Sequence, residues 1–262
     1  MRVHVVSDVH GNAEALARAG DGADALVILG DLLDFVDYHD HRRGIFGTVF
    51  GAEKVRRFAE LRKGGRRGEA GQFIRSLWAG LDDAAAVIEE AARDQYARLF
   101  GALTAPTWAT PGNVDLPYLW KEFTGPDVHV LDGDVAEIGG LRFGFVGGAL
   151  LLPGTRLPEK APWLPYLRSA EDYTEAVLDL PQVDVLCTHA PPALADLTYD
   201  VVARRAELGS EGILTFIERH QPRWSVFGHV HQPLAQRMRV GRTECVNVGH
   251  FQRRERAYAL RW

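Results

Sequence analysis

Five apolar runs in this 262-residue sequence each stop at a side chain that can bind a metal ion. Arg2-Val3-His4-Val5-Val6 leads to Asp8 and His10, and Ala25-Leu26-Val27-Ile28-Leu29 leads to Asp31. Thr107-Trp108-Ala109-Thr110 leads to Asn113, Val183 to Thr188 leads to His189, and Trp224-Ser225-Val226-Phe227 leads to His229 and His231. One histidine after a strand is ordinarily a surface or packed core residue; five run ends with the same habit point to one shared site. Imidazole mixed with carboxylate suits Mn, Fe, Zn or Ni, whereas an oxygen-only shell suits Mg or Ca. Paired cysteines are missing, which excludes a zinc finger. The expectation is a two-metal site with Asp8 and His10 as its first corner.

The elements that must position these residues are legible from periodicity. The runs read as buried β-strands. Asn12 to Ala19 is rich in helix formers and closes at Gly20. Strand, helix and strand in succession form a right-handed βαβ unit with parallel strands. Asp8 and Asp31 then leave neighbouring strands at one edge of the sheet.

Residues 37 to about 104 form a helical, basic insert. Helices are expected around Ala52 to Arg62 and Gln72 to Leu103, with a glycine-rich break at Gly64, Gly65, Gly68 and Gly71. Arg42 to Arg75 holds ten Lys or Arg and three acids, in a chain whose formal net charge is −5. Two readings stand: a solvated helix surface, or a basic cap that attracts a phosphorylated substrate.

Beyond the insert, Val128 to Leu131 and Val135 to Ile138 flank Asp132-Gly133-Asp134 and are expected to pair as a hairpin. Leu141 to Val146 continues the β pattern. A proline-rich loop (Pro153, Pro158, Pro162, Pro165) carries Trp163 and Tyr166, either as a pocket wall or as plain packing. Helices near Ser169 to Leu178 and Gly212 to Arg219 follow, and strands over Glu244 to Val248 and Arg256 to Trp262 close the chain. No linker divides it, so a single α/β domain over 1–262 is expected. Cys187 and Cys245 sit in apolar runs as small core residues rather than as a disulfide framework. With no charged leader and no long apolar span, a cytoplasmic protein that does not engage membranes is expected.

Taken together, Asp8-Val9-His10, Gly30-Asp31, Gly112-Asn113-Val114-Asp115, His189 and Gly228-His229-Val230-His231 resemble the calcineurin-like metallophosphoesterase superfamily. The blocks occur in that family's order. The resemblance implies a four-layer αββα sandwich with two transition metals at the sheet edges. It implies that Asp8, His10, Asp31 and His231 hold one ion and that Asp31, Asn113, His189 and His229 hold the other, Asp31 bridging. Two cations about 3.5–4 Å apart can share a water, lower its pKa and clamp phosphoryl oxygens during in-line displacement. Asn113 can ligate through its carbonyl while its amide faces the phosphate.

Val114 departs from the pattern, since the family places there a histidine that assists the departing oxygen. The loss costs least where the leaving group needs little acid catalysis, so phosphodiester hydrolysis is expected over monoester hydrolysis. Asp115 matches the family's acidic residue and is carried as a catalytic candidate without its imidazole partner. His39 and His41 of the insert are candidate substitute acids, whose replacement by alanine would lower turnover. The expected substrate is a phosphorylated small molecule or nucleotide, with nucleic acid not favoured. The competing readings are a nuclease or nucleotide phosphatase, and a metal-binding interaction module that has lost catalysis.

Overall fold

The computed structural model describes residues 1–158 and 161–262, with Arg67 described by its backbone alone. Glu159 and Lys160 of the proline-rich loop lie outside the described residues.

Two sheets stack face to face. The first runs in the order Tyr258–Arg261, Arg2–Val6, Ala25–Ile28, Thr107–Ala109, Val128–Val130, parallel throughout except for its C-terminal edge strand. The second runs Arg237–Val240, Thr243–Asn247, Trp224–Phe227, Val185–Thr188, Leu141–Val146, Asp134–Ile138, with parallel pairing in the middle and an antiparallel pair at each edge. Side chains alternate across a strand, so each central strand feeds two cores. Val3, Val5, Val27 and Leu29 join Phe143, Phe145, Val185, Cys187 and Val226 between the sheets. Val6, Leu26 and Ile28 face the other way, onto Leu16, Ile88, Tyr96, Leu99 and Trp120. On the far side Val146, Leu186 and Phe227 pack on Tyr173, Val177, Ile213, Phe216 and Ile217. Helix, sheet, sheet, helix is the four-layer arrangement expected. A strand covered on both faces has no solvent side, which is why Ala25–Ile28 carries no polar residue.

Several elements follow their local chemistry closely. Ser169 caps the helix Ala170–Leu178 by accepting from Asp172 N at 3.0 Å, and Ser210 caps Glu211–His220 through Ile213 N at 3.2 Å. Three expectations are corrected. The stretch read as one helix from Gln72 to Leu103 is two helices, Arg67–Trp78 and Ala84–Gly101, because Gly80 stops the first and Asp83 starts the second by accepting from Ala86 N. The glycine-rich break shrinks to Gly64 and Gly65, since the helix Arg67–Trp78 runs through Gly68 and Gly71. The hairpin across Asp132-Gly133-Asp134 does not form: Val128–Val130 joins the first sheet and Asp134–Ile138 the second. The hairpin is one strand later, where Gly139 and Gly140, both at positive φ, turn the chain into Leu141–Val146.

The insert's helices Gly44–Phe50, Ala52–Lys63 and Arg67–Trp78 share a small core of Phe46, Val55, Phe58, Leu61 and Ala70. Part of its positive charge is answered locally, by Arg42 with Asp40, Arg56 with Glu60 and Arg66 with Glu69. Such exposed pairs are screened by solvent and contribute little to stability. Among the described residues no helix is long and apolar enough to cross a membrane.

Candidate metal centre

The parallel pairing of Arg2–Val6 with Ala25–Ile28 carries on past the strand ends. Asp8 N donates to Gly30 O (3.0 Å), His10 N to Asp31 O (2.9 Å) and Gly11 N to Leu32 O (2.8 Å). To make these bonds and still turn inward, Asp8, His10 and Asp31 adopt left-handed backbone with φ of 57°, 41° and 52°, and His229 does the same at 65°. Such a conformation costs a side chain-bearing residue about 1–2 kcal/mol. Seven described residues other than glycine carry a positive φ, and four of them are in the set of seven singled out by sequence. Strain concentrated in this way is what a functional site stores. Glycine closes the remaining gaps: a side chain at Gly30 would strike the Gly112 backbone, and one at Gly228 would strike Ser7 and Asp8.

The turns bring their ligand atoms together in two groups. In the first, His10 Nε2 lies 3.2 Å from His231 Nε2, 3.9 Å from Asp8 Oδ1 and 4.0 Å from Asp31 Oδ2, and His231 Nε2 lies 3.4 Å from Asp8 Oδ1. In the second, His189 Nε2 lies 3.0 Å from Asn113 Oδ1 and 3.6 Å from Asp31 Oδ2, and the His189 and His229 rings meet edge to face with centroids 5.1 Å apart. Asp31 Oδ2 stands between the two groups. Its other oxygen is fixed by Val114 N at 2.8 Å.

The donor set fits a cation better than it fits itself. His189 Nδ1 contacts Leu29 O at 2.7 Å, and His10 Nδ1 contacts Leu33 O at 3.0 Å. A carbonyl can only accept, so each ring carries its proton on Nδ1 and turns a lone pair inward at Nε2. The His189 lone pair then faces the Asn113 oxygen, two acceptors 3.0 Å apart that a shared cation would satisfy. Asp8 Oδ1 is buried without a hydrogen-bond partner among the described residues, and buried acceptors left in that state are rare. Asp8, Asp31 and His189 each offer a ligand atom within 4.8 Å of the others, and His10, His231 and His250 do the same.

Protonation follows from burial and neighbouring charge. Burial holds His10 below its ordinary value against the pull of Asp31, and burial with the neighbouring His189 takes His229 down to about 4. Both rings are therefore neutral and able to ligate near neutral pH. His231 is raised: burial works against it, but its close approach to Asp8 Oδ1 (3.4 Å) and the charges of Asp8 and Asp31 outweigh that. Asp8 is lowered: burial alone would raise it, but the nearby imidazoles of His231, His189 and His10 outweigh that.

The remaining sequence candidates fall outside the cluster. Asp115 is fully buried and spends its oxygens on Leu32 N (3.0 Å), Leu33 N (3.2 Å), Gly112 N (2.9 Å) and Tyr96 OH (3.2 Å). It cannot also touch a substrate, so its place is to hold the Asp31 and Asn113 turns together. Burial, then the charge of Asp31, raises it to about 7 against the pull of those amides. The Val114 side chain packs against the core on the helix side of the first sheet. His39 is exposed and His41 partly so, and neither is hydrogen-bonded to or ring-packed on the seven. Tyr166 donates to Asp132 and its main-chain N–H holds Asn113 O at 2.9 Å; Trp163 stacks on Phe35. The loop carrying them is thus fastened beside Asn113.

Asp34, three residues after Asp31, supplies a test of this buried acidic environment. Burial and the charge of Asp37 raise it to about 7, with Arg43 opposing. Below the ordinary value of 3.8 both folded and unfolded chains hold its proton. As pH rises the unfolded chain releases it first, so stability is lost between the two values and stays lost above them. Asp34→Asn is expected to raise the melting temperature at about pH 8, on the order of 1–3 kcal/mol of stability, and to leave it unchanged at about pH 4. Thermal unfolding at the two pH values checks this.

His250 is the one member of the cluster that the sequence reading passed over. It follows Asn247-Val248-Gly249 at the end of Thr243–Asn247, so a sixth strand ends as the other five do. Its ring lies face to face with His231 (centroids 3.9 Å apart, 18° between planes) and edge-on to His10 (5.6 Å, 84°).

Comparison with known proteins gives three findings. A family model described as calcineurin-like phosphoesterase matches residues 1–233. The crystal structure of TT1561 from Thermus thermophilus superposes with a TM-score of 0.54 at 16% identity, covering 99% of this chain and 97% of that one. An archaeal phosphodiesterase superposes with a TM-score of 0.40 at 13% identity, covering 96% and 86%. No curated protein matches the sequence.

Proposed function

The chain belongs to the calcineurin-like phosphoesterase family, and from that premise we propose that it is a dimetal phosphodiesterase acting on a phosphorylated small molecule or nucleotide. Asp8, His10, Asp31 and His231 hold one ion and Asp31, Asn113, His189 and His229 the other. The observation that carries this reading is Asp31 Oδ2, placed between two groups of inward-facing lone pairs. The pair of ions, drawn from Mn, Fe, Zn or Ni, supplies water activation and neutralises phosphoryl charge during in-line displacement. The protein's own part is positional. Leu29 O and Leu33 O fix the tautomers of His189 and His10, Val114 N aims Asp31, and Asp115 locks the turns behind them.

Position 114 offers an amide and a packed side chain but no proton, so the leaving group departs with little acid assistance. This favours diesters. With Mn added, turnover of bis(p-nitrophenyl) phosphate is expected to exceed that of p-nitrophenyl phosphate at least tenfold. A reversed ratio would make the protein a monoesterase, and cleavage of short single-stranded nucleic acid ahead of both would make it a nuclease. We place the protein in the cytoplasm as one domain carrying the 37–104 insert; the buried free thiols of Cys187 and Cys245 suit a reducing compartment.

Acid should unload the site from the His231 side. An imidazole ligates only when neutral, and the proton of His231 is held above its ordinary value, its acidic neighbours outweighing burial. Metal occupancy and activity are expected to fall together as pH drops through and below its raised value, by about tenfold in affinity per unit. Parallel titrations of bound metal and turnover check this; activity that outlasts the metal would contradict it.

A further inference from the structure

We propose that His250 is an additional ligand of the ion on the His10 and His231 side, which would make that ion's shell rich in imidazole. The proposal rests on the dimetal reading above and extends its donor set to a residue on a different element.

The His250 ring is 8% exposed, and its Nε2 is buried with no hydrogen-bond partner among the described residues. A buried nitrogen left in that state calls for a missing partner. His250 also offers a ring nitrogen within 4.8 Å of ring nitrogens of His10 and His231.

The backbone shows that this placement is built. Asn247 Nδ2 donates to Gly228 O (3.2 Å) and Val230 O (2.9 Å), which ties the strand before His250 to the turn that carries His229 and His231. The Asn247 oxygen accepts from Gly249 N at 2.8 Å, next to His250 itself. On the other side Phe251 N donates to Ser7 O and Gln252 N to Asp8 O, both at 3.0 Å, and Gln252 Nε2 donates to His10 O at 2.9 Å. One asparagine and one glutamine thus fasten His250 to both ligand-bearing turns of this half of the site.

Ring geometry tells which imidazole must adjust. His10 meets both other rings edge-on, so its lone pair can converge with either. His231 and His250 lie nearly parallel, so their lone pairs lie in two nearly parallel planes and cannot both aim squarely at one ion as they stand. The His231 side chain is 39% exposed, so it is the ring with room to turn while His250 keeps its seat. Three imidazoles with Asp8 and the shared Asp31 favour a nitrogen-preferring ion such as Zn or Ni over Mg.

Plain stacking of His250 beneath His231 is the competing explanation, and His250→Phe separates the two. Phenylalanine keeps a flat ring against His231 and removes the lone pair. In zinc titrations the unmodified protein is expected to bind two ions. His250→Phe should bind one of them more weakly by over about 100-fold, beyond the 10–100-fold loss typical of a residue that only supports a ligand, while keeping the ion of the His189 side. Nitrogen-15 correlation spectra of the zinc-loaded unmodified protein should show a metal-bound shift at a His250 ring nitrogen, a readout that needs no folded variant. Unchanged affinity in His250→Phe, or an unliganded His250 shift, overturns the proposal and leaves the dimetal reading standing. Failure of the unmodified protein to bind zinc, Mn, Fe or Ni overturns that reading, and the proposal with it.

Discussion

Asp31→Asn is expected to reduce turnover by about 10³-fold or more, the scale of losing a principal electrostatic stabiliser, and to empty both metal positions. Asp31 Oδ2 faces both groups of lone pairs, at 4.0 Å from His10 Nε2 and 3.6 Å from His189 Nε2. An amide in its place carries no charge and bridges two cations poorly. The fold should survive, because Asp31 contributes little to the core and an asparagine oxygen can still accept from Val114 N. The prediction is therefore specific: a folded, metal-poor, inactive protein. Circular dichroism, metal content and turnover measured on one preparation would check all three parts. A variant that keeps both ions would show that Asp31 is not their bridge.

Asp115→Ala is the second large effect, and it works through the fold. Its carboxylate takes three main-chain amides and the Tyr96 hydroxyl in a place with no solvent. Alanine would leave those donors unpaired, at about 1–3 kcal/mol for each one that cannot find another partner. The expected loss is about 3–5 kcal/mol, enough to lower the melting temperature by roughly 10 °C in a chain of this size. Asp115→Asn should lose less, since one oxygen remains to accept. What distinguishes this residue from Asp31 is the order of events. Asp115→Ala should lose stability even when metal is absent, whereas Asp31→Asn should not. Equal melting temperatures for Asp115→Ala and the unmodified protein, both without metal, would contradict the structural role given to it.

The fold and most of the site were readable because both depend on strand ends. A short continuous apolar run, a turn and a polar side chain are local signals, and a parallel βαβ unit fixes which edge the polar groups share. That logic placed Asp8, His10, Asp31, Asn113, His189, His229 and His231 in one region, and the structure brings their turns together. The misread parts depend on contacts that sequence does not display. Whether Val128–Val130 and Asp134–Ile138 pair is decided by which sheet each can cover, and both turns there contain glycine. Asp115 looks like a catalytic acid in its motif; only burial and its four donors show it to be a brace. His39 and His41 stand out by their position after Asp34, and neither is among the described residues whose ligand atoms gather. His250 was legible in kind, as Gly-His after a strand, yet its run contains Glu244 and Asn247 and is less uniformly apolar than the other five.

The proposed dimetal centre would set two ions between these turns to carry the chemistry. Its most direct test is metal analysis of the purified protein, followed by removal of the metal with a chelator and restoration with Mn, with diester turnover followed throughout. Two transition-metal ions per chain are expected, with turnover lost on stripping and recovered on refilling. Full turnover in protein stripped of metal would contradict it.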